Sequence, residues 1–321
     1  MSRRRQKLRQ QAYWSNQPGL FDLVPDDDGS ATIEPPGDIE DGCEKLRYIS
    51  FGSGSSGNCA YVGTPSCGLL IDAGVDNNYV TAQLAANSID RATIRGILLT
   101  HDHSDHVRYA YAILRYNKHM RLYATPKALN GLLRRHSISR RISDYHQPIY
   151  KEFPFNVGPL TVTAFETSHD GSDNVGFAID LGDIHFVVTT DTGVITPRSD
   201  HYMRRAQYLM IESDYDAEML HKGPYPAHLK ARIAGPTGHL DNADTGRYIA
   251  SLAADGMLRR VFLCHLSDIN NSPSVALHTV HAILEEAGLT FNRDLQPRSA
   301  DTRLHVAVLP RKEASPLVTL G

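Results

Sequence analysis

Residues 97–106 read ILLTHDHSDH, three histidines and two aspartates in six positions directly behind an aliphatic run. A chain with this feature ends a buried strand at His101, Asp102, His103, Asp105 and His106. Withdrawing so many ionisable groups from water is costly unless something compensates them. A metal ion is the compensation these residue types suit. The fold must then carry further ligands to the end of that strand.

Three other predicted strands stop on a residue of ligand type. His169 follows TVTAFETS, Asp191 follows HFVVTT, and His265 closes RRVFLC. Ligands on strand ends are held by a scaffold, while the loops leave room for a substrate. His101 and His103, two apart in an extended loop, can turn toward one ion. Asp105 and His106, entering the next helix, point to a neighbouring position. The simplest count gives two sites: His101, His103 and His169 hold one ion, Asp105, His106 and His265 the other, and Asp191 bridges. Nitrogen and oxygen donors without thiolate suit zinc or manganese, with iron also possible. Paired divalent ions clamp the attacking and leaving oxygens of a hydrolytic substrate. Of the 16 histidines, those outside these motifs and His239 are assigned to surface or satisfied core positions.

The rest of the chain supplies strands and helices in both halves. KLRYISFGSG, CAYVGT, GLLIDAG, RGILLT and RLYAT read as strands, as do LTVTAFETSHD, VGFAIDLG, IHFVVTTDTG, YLMIESDYD, RRVFLCHLS and LHVAVL. Asp76 caps a helix with Val80, Leu84 and Ala85 on one face; Pro126 opens another. Helices are also predicted through VRYAYAILRYN, over about 217–233 and 242–254, and through SPSVALHTVHAILEEAG. This mixture predicts an α/β (α+β) domain of two mixed sheets packed together, with helices outside. One domain over 45–321 is expected, after a disordered or weakly ordered tail over 1–44 that is rich in Pro, Gly and acids.

Charge and cysteines narrow the class. Residues 1–11 carry five cations and no acid, and residues 12–44 carry nine acids and no cation, so the body is close to neutral. It is not a strongly basic nucleic-acid binder, and any polyanion must be held locally. The basic stretch 1–11 reads first as a solvated tail and second as a nucleic-acid contact. The four cysteines form no C-x-x-C pair, which suits thiols in a reducing compartment. With no apolar run of about 20 residues and no secretory pattern at the N-terminus, the expectation is a cytoplasmic protein without a membrane span. Oligomeric state stays open.

GSGSSG at 52–57 fits the dinucleotide fingerprint, but that requires a helix directly after the glycines, and a hairpin follows instead. Its backbone amides, with Ser55, Ser56 and Asn58, are candidates for meeting a phosphate; a plain structural turn is the equal alternative. His239 in GPTGHLDN precedes a helix and is placed to touch a phosphate or protonate a leaving oxygen. Glu212 and Asp214 in ESDYD lie either beside the site or at the surface. Lys222, Lys230, Arg232 and Arg247 are candidates for a positive patch, with a solvated helix face the alternative for at least half. Asn270 and Asn271 are candidates for ordering the His265 loop.

LLTHDHSDH, TSHD, TTDTG and LCHLS, with LLIDAG upstream, resemble the ordered motifs of the metallo-β-lactamase superfamily over about residues 46–309. The resemblance implies a four-layer αββα sandwich in which Asp72, of the IDAG turn, supports the site from behind the ligands. SFGSGSSGNC, TSHDGSDNVGF, ESDYD, GHLDN and CHLSDINN are similar to the YycJ (WalJ) type branch, which implies DNA exonuclease activity. Asn174 stands where that branch tends to have proline, and Asp241 where it tends to have serine. The mechanism expected is phosphodiester hydrolysis by hydroxide held between two divalent ions, with Asp105 orienting it and His239 serving the leaving group. The substrate expected is nucleic acid, DNA ahead of RNA. The rivals are a hydrolase of a thioester, lactone or other small ester or amide on the same fold, and a non-catalytic metal-bearing binding module.

Overall fold

A computed structural model describes residues 45–292 and 304–321. The tail expected over 1–44, with Cys43 and the basic stretch 1–11, lies outside them. The strands are β1 (Leu46–Gly52), β2 (Cys59–Gly63), β3 (Gly68–Ile71), β4 (Ile94–Leu98), β5 (Arg121–Ala124), β6 (His146–Pro148), β7 (Phe155–Val157), β8 (Leu160–Glu166), β9 (Val175–Leu181), β10 (Ile184–Thr189), β11 (Tyr208–Glu212), β12 (Arg260–Cys264), β13 (Phe291–Asn292), β14 (Leu304–Val308) and β15 (Val318–Leu320). The helices are α1 (Asn77–Ala86), α2 (Ser104–Val107), α3 (Ala110–Tyr116), α4 (Pro126–Arg135), α5 (Pro197–Met203), α6 (Ala217–Lys222), α7 (Ala227–Ile233), α8 (Asn242–Ala253) and α9 (Pro273–Glu286). Among the described residues, no helix is long and apolar enough to cross a membrane.

One sheet has the order β15-β1-β2-β3-β4-β5-β6, the other β13-β14-β12-β11-β10-β9-β8-β7. Strands buried on both faces read as continuous apolar runs, and their period of two shows in what each residue touches. In CAYV, Ala60 and Val62 join the core between the sheets, while Cys59 and Tyr61 face the other way. In β11, Tyr208 and Met210 point to the central core and Leu209 and Ile211 to an outer one. Helices α1, α3 and α4 cover the first sheet through Val80, Leu84, Ile113, Leu114, Leu129 and Leu132. Helices α8 and α9 cover the second through Ile249, Leu252, Val280 and Leu284. The layers are therefore αββα, as expected.

Each sheet starts as an antiparallel meander and continues with parallel strands. Strands β3, β4, β5 and β6 run parallel in the first, and β10, β11, β12 and β14 in the second. Parallel neighbours need crossovers, which the helices provide. In open α/β sheets ligands gather beyond the carboxyl ends of such strands. Here the ends of β3, β4, β10, β11 and β12 carry Asp72, His101, Asp191, Glu212 and His265 or lead directly to them.

Several elements differ from expectation for local reasons. The helix predicted after the histidine motif is broken between α2 and α3. Tyr109 N–H donates to Ala73 O (2.8 Å) and Asp105 O accepts from Asn58 N–H (2.8 Å), so the backbone there is tied to neighbouring turns. The stretch 217–233 is two helices, because Gly223, Pro224 and Pro226 interrupt it; proline lacks the donor and disfavours helix in the residue before it. Ala85 is exposed, and only Val80 and Leu84 of its predicted face are buried. Strand β15, not anticipated, pairs antiparallel with β1 through Leu46 and Leu320.

Candidate metal centre

Three strands end on residues with left-handed backbone: Asp72 (φ 60°), Asp191 (φ 50°) and His265 (φ 55°). Such conformations are rare outside glycine and cost of order 1–3 kcal/mol each. Each turns its side chain into the same pocket. Asp72 is fixed there by Thr100, whose N–H (2.9 Å) and hydroxyl (2.8 Å) both donate to it. Asp72 Oδ2 in turn lies 2.7 Å from His106 Nδ1. That bond places the proton on Nδ1 and leaves Nε2 toward the site, the usual arrangement of a ligating histidine and a carboxylate behind it.

The seven predicted ligand residues converge. Asp191 Oδ2 lies 2.9 Å from His106 Nε2 and 3.2 Å from His101 Nε2, and its Oδ1 lies 3.1 Å from His265 Nδ1. Asp105 Oδ2 is 3.5 Å from the Nε2 atoms of both His106 and His265. His169 Nε2 is 3.2 Å from His103 Nδ1, and His169 Nδ1 donates to Gly238 O (2.9 Å). His101, His103 and His169 offer ligand atoms within 4.8 Å of one another, as do Asp105, His106 and His265, and also His101, His106 and Asp191. The residues fit a divalent cation. The Nε2 atoms of His101 and His265 are buried and make no hydrogen bond, a state that costs about 1–3 kcal/mol per atom unless something fills the gap.

Electrostatics follow from that crowding. Burial pushes the His101 and His103 imidazoles down, aided by His106 and by His169 respectively. Burial opposes the charged forms of His106 and His265 too, but surrounding carboxylates, Asp191 foremost, outweigh it and raise both. The Asp105 and Asp191 carboxyls are held far down by the same imidazoles, against burial.

A further layer was only half visible in the sequence. Glu212 is wholly buried and accepts from Thr192 N–H (2.8 Å) and Leu240 N–H (3.3 Å). Its Oε1 lies 2.6 Å from His239 Nδ1 and 3.0 Å from His265 Nδ1. Burial works against a charged His239, yet Glu212 pushes it up to about 9. Asp214, also buried, is 3.5 Å from His265 Nδ1. Asn271 Nδ2 donates to the carbonyls of Ser213 and Asp214 (both 2.9 Å), tying the turn after β11 to the His265 loop. Asp102, left without a role by its spacing, accepts from Ser172 N–H (2.8 Å) and Ser172 Oγ (2.7 Å).

The remaining candidates take various places. Ser55 and Ser56 are exposed at the tip of the first hairpin, and strand β2 follows, not a helix. Asn58 is buried: its Oδ1 accepts from Gly54 N–H (2.8 Å), and its Nδ2 is 3.2 Å from Asp105 Oδ2 and 3.0 Å from His106 Nε2. Asn174 Nδ2 donates to His169 O (2.7 Å), bracing the loop that presents His169. Asp241 caps α8 through Asp244 N–H (2.6 Å), so its charge is used at a helix N-terminus. Lys222 pairs with Glu218, Arg232 with Asp170 and Arg247 with Asp244, while Lys230 Nζ donates to His221 O. None of these four is an unengaged cation.

Comparison with known proteins agrees with the geometry. Residues 68–266 match the family model described as the β-lactamase superfamily domain. The chain is 30% identical over 265 residues to exodeoxyribonuclease YycJ of Bacillus anthracis, covering 81% of this chain and 97% of that protein. It is 30% identical over 251 residues to exodeoxyribonuclease WalJ of Streptococcus pneumoniae, covering 78% and 93%. In fold it is similar to the metallo-β-lactamase fold protein YhfI from Bacillus subtilis (TM-score 0.60, 14% identity, 85% of this chain and 99% of that one). Zinc-bound PqqB from Methylobacterium extorquens is also similar (TM-score 0.57, 19% identity, 84% and 99%). A strand-end cluster of histidines and aspartates on this fold is a site for divalent metal. The chain belongs to the β-lactamase superfamily, and it is a metallo-hydrolase with the metallo-β-lactamase fold.

Proposed function

We propose that this metallo-hydrolase is a DNA exonuclease with two divalent ions, zinc or manganese, with iron the third option. His101, His103 and His169 hold one ion, Asp105, His106 and His265 the other, and Asp191 is shared. The observation that carries this reading is Asp191 itself, whose oxygens reach His101 on one side and His106 and His265 on the other. The names of the two relatives support the substrate, DNA ahead of RNA.

Bound divalent ions supply the Lewis acidity that lowers the pKa of water and offsets charge building on a phosphoryl oxygen. The chain's own residues do the rest. Asp72 and Thr100 lock the His106 ring, and Asn58 aligns Asp105, which orients the attacking water. His239, held charged by Glu212, donates a proton to the departing oxygen. Ser55 and Ser56, exposed on their hairpin, face a phosphate. A cytoplasmic place of action belongs to the same proposal, supported by Cys59, Cys67 and Cys264 being buried thiols without disulfides.

The test is digestion of end-labelled single- and double-stranded DNA with added manganese or zinc, beside a panel of thioesters. Metal-dependent release of nucleotides from one end supports the reading. Thioester turnover with every phosphodiester left intact would remove it.

A further inference from the structure

Helix α4 and the turn after it present cations beside the site that the reaction above does not use. Lys127, Asn130, Arg134 and Arg140 are exposed, and with Leu133 and Ser172 they line a cavity of about 490 Å³. The ion pairs of the described residues leave out Lys127, Arg134 and Arg140; in this stretch Arg135 reaches a carboxylate, Asp102 at 3.6 Å. This separates them from Lys222, Arg232 and Arg247, each of which has an acidic partner.

The groove is fastened to the metal loop. A Cβ on Gly131 would come 2.1 Å from both Asp102 Oδ2 and Ser172 Oγ, so only a bare backbone lets α4 sit directly on them. Asp102 binds Ser172, and His136 Nε2 at the end of α4 lies 2.6 Å from Asp102 O. The same serine therefore lines the groove and holds the segment that contains His101 and His103. From Lys127 to Arg134 the helix rises roughly 10 Å. That is the length of about three phosphates of one strand at their axial spacing in a duplex.

We infer that this groove carries the phosphates of a nucleic-acid strand toward the metal centre, an inference that rests on the nucleic-acid substrate proposed above. Lys127, Arg134 and Arg140 meet phosphates spaced along the strand, Asn130 adds a hydrogen bond, and Ser172 marks where the strand turns in to the site. A body near neutrality binds a polyanion only through such a local concentration of unneutralised cations.

The experiment measures fluorescence anisotropy of an end-labelled, phosphorothioate-linked single-stranded DNA at several salt concentrations. Three proteins are compared: the wild type, a Lys127→Gln/Arg134→Gln/Arg140→Gln triple variant, and a Lys222→Gln/Lys230→Gln/Arg247→Gln triple variant of equal charge. All six positions are exposed or half-exposed side chains, and thermal melting confirms that the variants are folded. The expected result is a Kd raised about tenfold or more in the groove variant, with the log–log salt slope shallower by about 2. The second variant stays within about twofold of wild type. Equal Kd and slope in the two triple variants would overturn the inference, as would a wild type that does not bind. A weakened groove variant of a protein that cleaves no phosphodiester would keep the strand path and remove the exonuclease reading. DNA digestion by a wild type whose two variants bind alike would do the reverse.

Discussion

Holding a non-glycine residue in left-handed backbone costs of order 1–3 kcal/mol, and Asp191 bears that cost at the end of β10. The strain aims one carboxylate at three imidazoles, which no extended residue in its place would do. Asp191→Ala is expected to lower DNA hydrolysis by at least about a thousandfold while the chain stays folded, since the substitution removes the shared carboxylate and leaves the three apolar cores untouched. Metal analysis and circular dichroism of the purified variant check both halves of that statement. His239 yields a prediction in pH. Its charged form donates the proton, so activity falls as pH rises through its pKa. Glu212 raises that pKa to about 9, and bound cations bring it lower, so the alkaline limb lies between about 6.5 and about 9. His239→Gln should remove the alkaline limb and cost about 100- to 10,000-fold in kcat; an unchanged pH–rate profile would refute the role. Seven of these residues were legible in the sequence because histidine and aspartate at the end of an aliphatic run have few other uses. Glu212 was legible only in part. The acids after YLMI read the same whether they end in solvent or, as Glu212 does, under His239 and His265.

At the scale of elements, the site depends on turns that have no spare volume. A Cβ on Gly74 would come 1.6 Å from Asp105 O, so the turn after Asp72 and the start of α2 meet backbone to backbone. Gly74→Ala is therefore expected to destabilise the chain by about 1–3 kcal/mol, as overpacking does. It should also displace Asp105 and weaken metal binding, which denaturant melts and a metal titration measure together. The strands and most helices were legible from periodicity and caps: Asp76 caps the helix it precedes and Pro126 opens another. The break between α2 and α3 was not, because it is set by hydrogen bonds to Asn58 and Ala73, far away in the chain. Strand β15 was missed because three residues carry too little pattern to stand out from a loop.

For the whole molecule, the metal centre joins both sheets, so its occupancy should register in global stability. Removal of metal by a chelator is expected to cost about 2.7 kcal/mol where metal had been present at about 100 times its Kd, roughly 5–10 °C in Tm. This loss should grow with pH. In the metal-free chain, His106 and His265 are raised above their ordinary values, so their ion pairs stabilise fully below about pH 6.5 and that contribution is lost as pH rises through the raised values. Metal requires neutral imidazoles and binds better as pH rises. Melting scans with and without chelator at pH 6 and pH 8 check this, and a smaller difference at pH 8 would contradict it. The layered architecture was legible from the mixture of strands and helices. The two-sided burial of β2 and β11 shows in their continuous apolar runs, whereas the 3.2 Å approach of His169 to His103 across 66 positions is set by the tertiary structure.

The most direct test is metal analysis of the purified chain together with its His103→Ala variant, each assayed on end-labelled DNA. About two divalent ions per chain are expected in the wild type, with metal content and nucleotide release falling together in the variant. A His103→Ala protein that is metal-free and still digests DNA at the wild-type rate would contradict the account.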